Sequence, residues 1–310
     1  FMNKIRIDKN KYNITKSVIK RELMYKEGDL FSRAKMLESE KNFSKMPIIQ
    51  LGRVTPDTIY QNSRIVDMNV DISLTNKYEL TPGIYTSYQS NRLYLGANLV
   101  YRDKDFFGGG RTFSVTAETE YNSTYINGAQ LEFKLLQPYL FNNNITAELS
   151  SEIGYLNQSK AINLILLENL LRLSYFISDY TFYNNAYSDL TFDYVNFNLD
   201  LSAINPSINE VIKFYYVNSI IGINLVHNNT NNLFNPSKGF YHSISAASAG
   251  LVPKFMTLFN NTLLYSQYIK LGTSNSFYFD ISDNRAISIV AKHFEIGDII
   301  EYGSGDNITP

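Results

Sequence analysis

The sequence predicts a mainly β fold: a transmembrane antiparallel barrel, with about eleven strands in this chain, preceded by a small α+β module. Three observations predict it. From Leu80 onward apolar and polar residues alternate with period two, the repeat of a strand with unlike faces. The runs extend over about 10–15 residues, beyond the strands of most globular sheets and long enough to cross a bilayer at a tilt. The composition suits such strands, with 24 Tyr, 20 Phe and only 18% charged residues, against roughly 25% in soluble domains. Tyr has an apolar ring and a polar tip, a combination favoured in strands and at membrane–water interfaces.

Residues 1–76 depart from this pattern and carry most of the helix-like sequence. "FMNKIRI" reads as a short strand. "NITKSVIKRELMYKEGD" (13–29) reads as a helix, with Val18, Ile19 and Leu23 on a narrow apolar stripe and 26–29 as its stop. "FSRAKMLESEKNFSKM" (31–46) reads as a second helix capped by Ser32, with Leu37 beside Ala34 and Met36 near its buried side. "IIQLGRV" (48–54) and "RIVDMNVDISLT" (64–75) read as closing strands, the latter alternating Val66, Met68, Val70 and Ile72 with Ile65, Asp67, Asn69 and Asp71. The order β-α-α-β-β defines a module over 1–76, joined directly to the strands of 77–310.

Eleven strands follow: Leu80–Ser90, Leu93–Arg102, Thr112–Tyr121, Ala129–Gln137, Ile145–Tyr155, Leu164–Phe176, Leu190–Leu201, Tyr216–His227, Gly239–Gly250, Leu258–Leu271 and Ala286–Ile296. Phe113, Val115, Ala117 and Tyr121 face one way, and Thr112, Ser114, Thr116, Glu118 and Glu120 the other. The connections "DKDFFGGG", "QPYLFNNN" and "NNTNNLFNPSKG" supply the Asn, Gly and Pro that turns require.

Several functions are disfavoured. A net charge of −1 gives no electrostatic reason for a nucleic-acid partner. Cysteine is absent, which removes disulfides, thiolate metal sites and cysteine nucleophiles. The most apolar run, Ala161–Leu171, is too short for a membrane helix and contains Glu168. No signal peptide is visible, and Phe1 reads as the start of a mature or trimmed chain. His227, His242 and His293 fall in separate strands without metal-ligand spacing. Gly108, Gly109 and Gly110 lead into a strand rather than a helix, so they read as a turn and not a phosphate loop. No nucleophile elbow is present, and Glu118 and Glu120 share a face expected of a hydrated lumen. An enzyme is therefore not expected, and no cofactor or metal is implied. Pattern alone leaves two architectures, a soluble sandwich and a membrane barrel, of which strand length and strand-end aromatics favour the barrel.

Longer motifs carry a resemblance. "NITKSVIKRELMYKEGDLFSRAKMLESEKNF" resembles a polypeptide-transport-associated (POTRA) domain. "RDKDFFGGGRTFSVTAE" and "NNLFNPSKGFYHSISAA" resemble barrel turns of the BamA/TamA-type outer-membrane β-barrel assembly superfamily. The resemblance covers nearly the whole chain, in order. It implies a periplasmic POTRA-like domain ahead of a barrel in the bacterial outer membrane, sixteen-stranded in the family. This chain would then lack the C-terminal strands and the Arg-Gly-Phe-like motif of the sixth extracellular loop. It also implies a factor that folds client β-barrel proteins into the membrane through a lateral seam. The partners implied are unfolded outer-membrane proteins, the lipid bilayer, and accessory lipoproteins or envelope subunits. Ile84, Tyr85, Thr86, Ser87, Tyr88, Gln89 and Ser90 would form the edge that pairs with a client strand, its start weakened by Pro82 and Gly83. Phe106, Phe107, Gly108, Gly109 and Gly110, with Asn235, Pro236, Lys238 and Gly239, would be structural turns. The alternative is a secretory or passive pore, a two-partner-secretion-like transporter or a porin, that uses its lumen rather than a seam.

Overall fold

The computed structural model describes residues 3–8, 14–57, 66–89, 92–121, 126–141, 145–159, 161–177, 181–231, 238–256, 265–280 and 288–301; for 3–8, 288–301 and a few strand ends it describes the backbone alone. The chain divides into two compact units. One comprises 1–83, 98–116 and 133–138, and the other 84–97, 117–132 and 139–310.

In the first unit, β1 (Asn3–Asp8), α1 (Lys16–Glu22), α2 (Arg33–Ser44), β2 (Ile49–Pro56) and β3 (Met68–Leu74) occur in the order the sequence predicts. They form a three-stranded sheet ordered β1-β3-β2, with β3 parallel to β1 and antiparallel to β2. Met68, Val70, Ile72 and Leu74 share one face of β3 and are buried against Val18 and Ile19 of α1 and Phe43 of α2.

Both helices differ in detail from expectation. The first ends at Glu22, and Leu23 is already extended. Tertiary partners replace helical ones there: the Glu22 carbonyl accepts from Asn42 Nδ2 at 3.3 Å, and Met24 N–H donates to Ser39 Oγ at 2.9 Å. Ser32 caps α2 and accepts from Lys35 N at 3.4 Å, as expected. Leu37, however, is exposed; the inward stripe is Met36, Ser39 and Phe43, spaced by one turn.

Tyr25 is buried in this module, and its hydroxyl has no partner among the described residues. Burial pushes its pKa from the ordinary 10.0 up to about 12. A folded-state value above the unfolded one means stability that is intact below pH 10.0 and lost as pH rises through about 12. Tyr25→Phe is expected to abolish that alkaline loss and to leave stability at neutral pH unchanged or about 1 kcal/mol higher. Denaturant midpoints at neutral pH and near pH 11, for wild type and variant, check this.

The second sheet is a meander of eleven strands: β4 (Tyr78–Gln89), β5 (Arg92–Asp103), β6 (Thr112–Tyr121), β7 (Ile126–Gln137), β8 (Ile145–Ser159), β9 (Ile162–Phe176), β10 (Asn185–Asp200), β11 (Val211–Asn228), β12 (Gly239–Ala249), β13 (Tyr268–Asp280) and β14 (Ser288–Glu301). Each pairs with the next, and β4 and β14 are its edges. Among the described residues the sheet is therefore open, and the closed barrel that the alternation predicts is not formed by these strands alone. No helix among them is long and apolar enough to cross a membrane.

The largest boundary error lies near the end. The runs Leu258–Leu271 and Ala286–Ile296 were expected as strands; the strands occupy Tyr268–Asp280 and Ser288–Glu301, after a short helix α3 (Leu251–Met256). Residues 257–264 lie outside the described set. Pairing with β12 decides the start of β13, because Tyr268 is the partner of Ala249 and Tyr278 that of Gly239.

Register aligns the two kinds of face across the sheet. Leu149, Leu171, Leu190 and Ile221 stand side by side on β8 to β11, all exposed. On the opposite face Arg172 grips Asp189 with two bonds of 2.7 and 2.9 Å. There too Glu152, Glu168 and Asp193 are direct cross-strand neighbours. Three adjacent ionised carboxylates repel one another, a cost that is smallest where water surrounds them.

Candidate functional site

The proposed pairing edge lies on β4, whose one neighbour in the sheet among the described residues is β5. Pro82 and Gly83 sit inside β4 rather than at its start, since the strand begins at Tyr78. Proline is compatible with an edge strand because its missing N–H need not break a ladder bond. At Gly83 a Cβ would collide with the Asn98 side chain, which fills that space. Ile84 is 82% and Tyr88 69% exposed, and Thr86 between them is exposed too. Tyr85 and Ser87 take the other face. Gln89 ends the strand, described by its backbone, and Ser90 lies outside the described residues.

Tyr85 is more than an edge residue. Its ring lies over Gly96 of β5, where a Cβ would strike it. Its hydroxyl reaches across to β6 and donates to Glu118, with Glu120 Oε1 a second acceptor at 3.2 Å. Ser87 Oγ donates to the same Glu120 oxygen at 3.4 Å. The side chains thus tie β4 to β6 over the gap that Gly96 provides.

Phe106–Gly110 forms the connection between β5 and β6. Phe107, Gly108, Gly109 and Gly110 all have positive φ, at 52°, 76°, 78° and 75°; a run of that kind is tolerable because three of the four lack a Cβ. Two carboxylates brace it: Asp103 Oδ1 accepts from Asp105 N at 3.0 Å, and Asp105 Oδ1 from Gly110 N at 2.9 Å. Phe106 stacks on Phe113 with centroids 4.7 Å apart. Within the same unit, Arg21 of α1 donates to the Gly109 carbonyl at 3.1 Å. A Cβ on Gly110 would lie 2.8 Å from Met46 Cε. At Lys77, just ahead of β4, burial is the largest influence and lowers the ammonium pKa, but the carboxylate of Asp103 at 3.6 Å, Tyr78 and Asp105 together outweigh it and hold the group above its ordinary value.

Lys238 and Gly239 lead into β12. Lys238 N donates to Asn231 Oδ1 at 3.1 Å. Gly239 has φ 122°, and a Cβ there would sit 2.7 Å from Thr230 Cα. Asn235 and Pro236 lie outside the described residues.

The sequence did not reveal that His227 and His242 are direct partners across β11 and β12. Phe182 stacks on His227 at 4.6 Å, Phe240 packs beside His242 at 5.9 Å, and Asn275 Oδ1 meets His242 Nδ1 at 2.6 Å. Such a belt at strand ends matches the aromatic girdle of membrane barrels. Among the described residues no cluster of three or more His, Asp or Glu could hold a metal. The signal that was legible but unused is Gly96: a glycine inside an alternating strand marks a close approach by a neighbour.

No protein-family model matches the sequence, and no curated protein matches it. Solved structures do. The chain is similar to BamA from Haemophilus ducreyi lacking POTRA domains 1-3, with 16% identity, a TM-score of 0.55, and coverage of 91% of this chain and 52% of that one. It is similar to CdiB from Acinetobacter baumannii, with 13% identity, a TM-score of 0.56, and coverage of 89% and 48%. The chain spans about half the length of these structures. At such identities the likeness is one of fold: over about nine-tenths of its length the chain shares the fold of these BamA and CdiB structures.

Proposed function

We propose that this chain is part of a non-enzymatic outer-membrane assembly factor, which folds client β-barrel proteins into the membrane through a lateral seam at β4. The observation that carries the reading is a sheet edge braced from behind. The outward side of β4 offers backbone groups to an incoming strand. Its inner side is tied to β6 through Tyr85, Glu118 and Glu120. A fixed template lowers the ordering cost of strand addition. The drive is the cost, several kcal/mol per group, of unpaired backbone in lipid. The β-α-α-β-β module is then a POTRA-like domain in the periplasm, and the aliphatic face of the large sheet lies against the bilayer. Partners are unfolded outer-membrane proteins, with accessory lipoproteins or envelope subunits.

Crosslinking tests this. Single cysteines at Ile84, Thr86 and Tyr88 are expected to capture a stalled barrel client. Capture no greater than from a cysteine at Asn224, on the polar face, would count against the seam. The pore reading draws support from the carboxylate-lined face of β8 to β10 and from the equal likeness to CdiB. A large, steady single-channel conductance without client capture would favour it.

A further inference from the structure

The three-stranded sheet has β1 and β2 at its edges. Ladder geometry decides which β2 groups face outward. Asp57 N–H donates to the Asp67 carbonyl at 2.6 Å, continuing the β2–β3 register in which Pro56 faces Met68. In an antiparallel pair, residues alternate between facing the partner and facing away. Asp57, Thr55 and Arg53 therefore face β3, and Gly52, Val54 and Pro56 face outward. Pro56 has no N–H to offer. Val54 N–H donates to Glu40 Oε1 of α2 at 2.8 Å. Phe43, one turn further along α2, packs so closely on Gly52 that a Cβ there would lie 2.6 Å from Phe43 Cβ. Two residues on one side of α2 thus hold the helix down on β2.

We propose that Glu40 closes the outer edge of β2 to strand addition, its carboxylate oxygen standing where the backbone carbonyl of an extended polypeptide segment would stand. An uncovered edge is a template for pairing with any extended chain. Here the outward donor at Val54 is taken in cis, the next position along carries proline, and Gly52 lies beneath Phe43. The site that results fits an extended segment of another polypeptide, which must displace Glu40 before it can pair. Only the partner's identity as an unfolded client rests on the function proposed above; the closed edge does not depend on it.

The test uses the full chain in detergent micelles, with a photo-crosslinking residue replacing the exposed Leu51 and, as probe, a labelled peptide of alternating valine and threonine. Wild type is expected to capture little peptide, and Glu40→Ala about tenfold more. Glu40→Gln keeps an accepting oxygen and should behave as wild type. Equal capture by wild type and Glu40→Ala would overturn the proposal, as would Leu51-to-Leu51 crosslinks between two copies in place of peptide. Amide exchange at Val70 and Ile72 reports whether the alanine variant keeps the fold. If it does not, Glu40→Asp, whose shorter side chain falls short of Val54, should show the same gain. A Val54 amide in wild type that exchanges as quickly as an unprotected one would overturn the proposal whatever the variants do. Because this readout is confined to the module, it can fail while the β4 crosslinks succeed, and the reverse.

Discussion

Replacing Gly52 with valine is expected to destabilise the N-terminal module by roughly 3 kcal/mol. The obstacle is space: a Cβ at this position would lie 2.6 and 2.8 Å from atoms of Phe43. Phe43 cannot yield, because it is fully buried in the module core with Val54, Val70 and Ile72. The added methyls must therefore lift α2, and the bond from Val54 N–H to Glu40 goes with it. Phe43→Ala alone should cost about 3–5 kcal/mol through the cavity it leaves. The two substitutions together should cost less than their sum, since the alanine makes room for the valine. Urea unfolding of the full chain, read by amide exchange at Val70 and Ile72, measures all three. Simple additivity would mean that Gly52 and Phe43 do not share that space.

Gly96→Val is the second large effect. It should expel the Tyr85 ring from β5 and break the hydroxyl's bonds to Glu118 and Glu120. Hydrogen bonds to charged groups contribute about 1.5–3 kcal/mol each. Amides along β4 should then exchange on the order of 100-fold faster, while β9 and β10 stay protected. Tyr85→Phe separates the causes: it keeps the ring over Gly96 and removes only the hydroxyl, so its effect should be smaller. Identical exchange in wild type and Gly96→Val would show that β4 is held by its ladder bonds alone. The brace that supports the proposed seam would then be lost.

Much of the fold could be read from residue order because it rests on local periodicity. Val66, Met68, Val70 and Ile72 alternate in the sequence, and Met68, Val70 and Ile72 line the module core. Ser32 signalled the start of α2 for the same local reason. Errors arose where tertiary partners override local pattern. The first helix stops at Glu22 because Ser39 and Asn42 supply other hydrogen bonds. Polar residues such as Asn185 and Asp189 extend β10 ahead of its apolar run because both neighbouring strands continue the ladder there. The site divides along the same line. The Gly-rich corner at 108–110 and the β4 segment could be located from residue types. Tyr85 over Gly96 reaching Glu118, Glu40 on Val54, and His227 beside His242 depend on register and on helix placement, which no window of sequence contains.

The most direct test of the whole account compares the two faces of the large sheet. Spin labels at Ile153 and Ile223, on the aliphatic face, and at Glu152 and Asn224, on the polar face, are to be read in lipid vesicles by collision with oxygen and with a water-soluble nickel complex. Labels on the aliphatic face should favour oxygen and be shielded from nickel, and labels on the polar face should show the reverse. Equal access of the nickel complex to all four positions would contradict a membrane-spanning sheet, and with it the seam at β4.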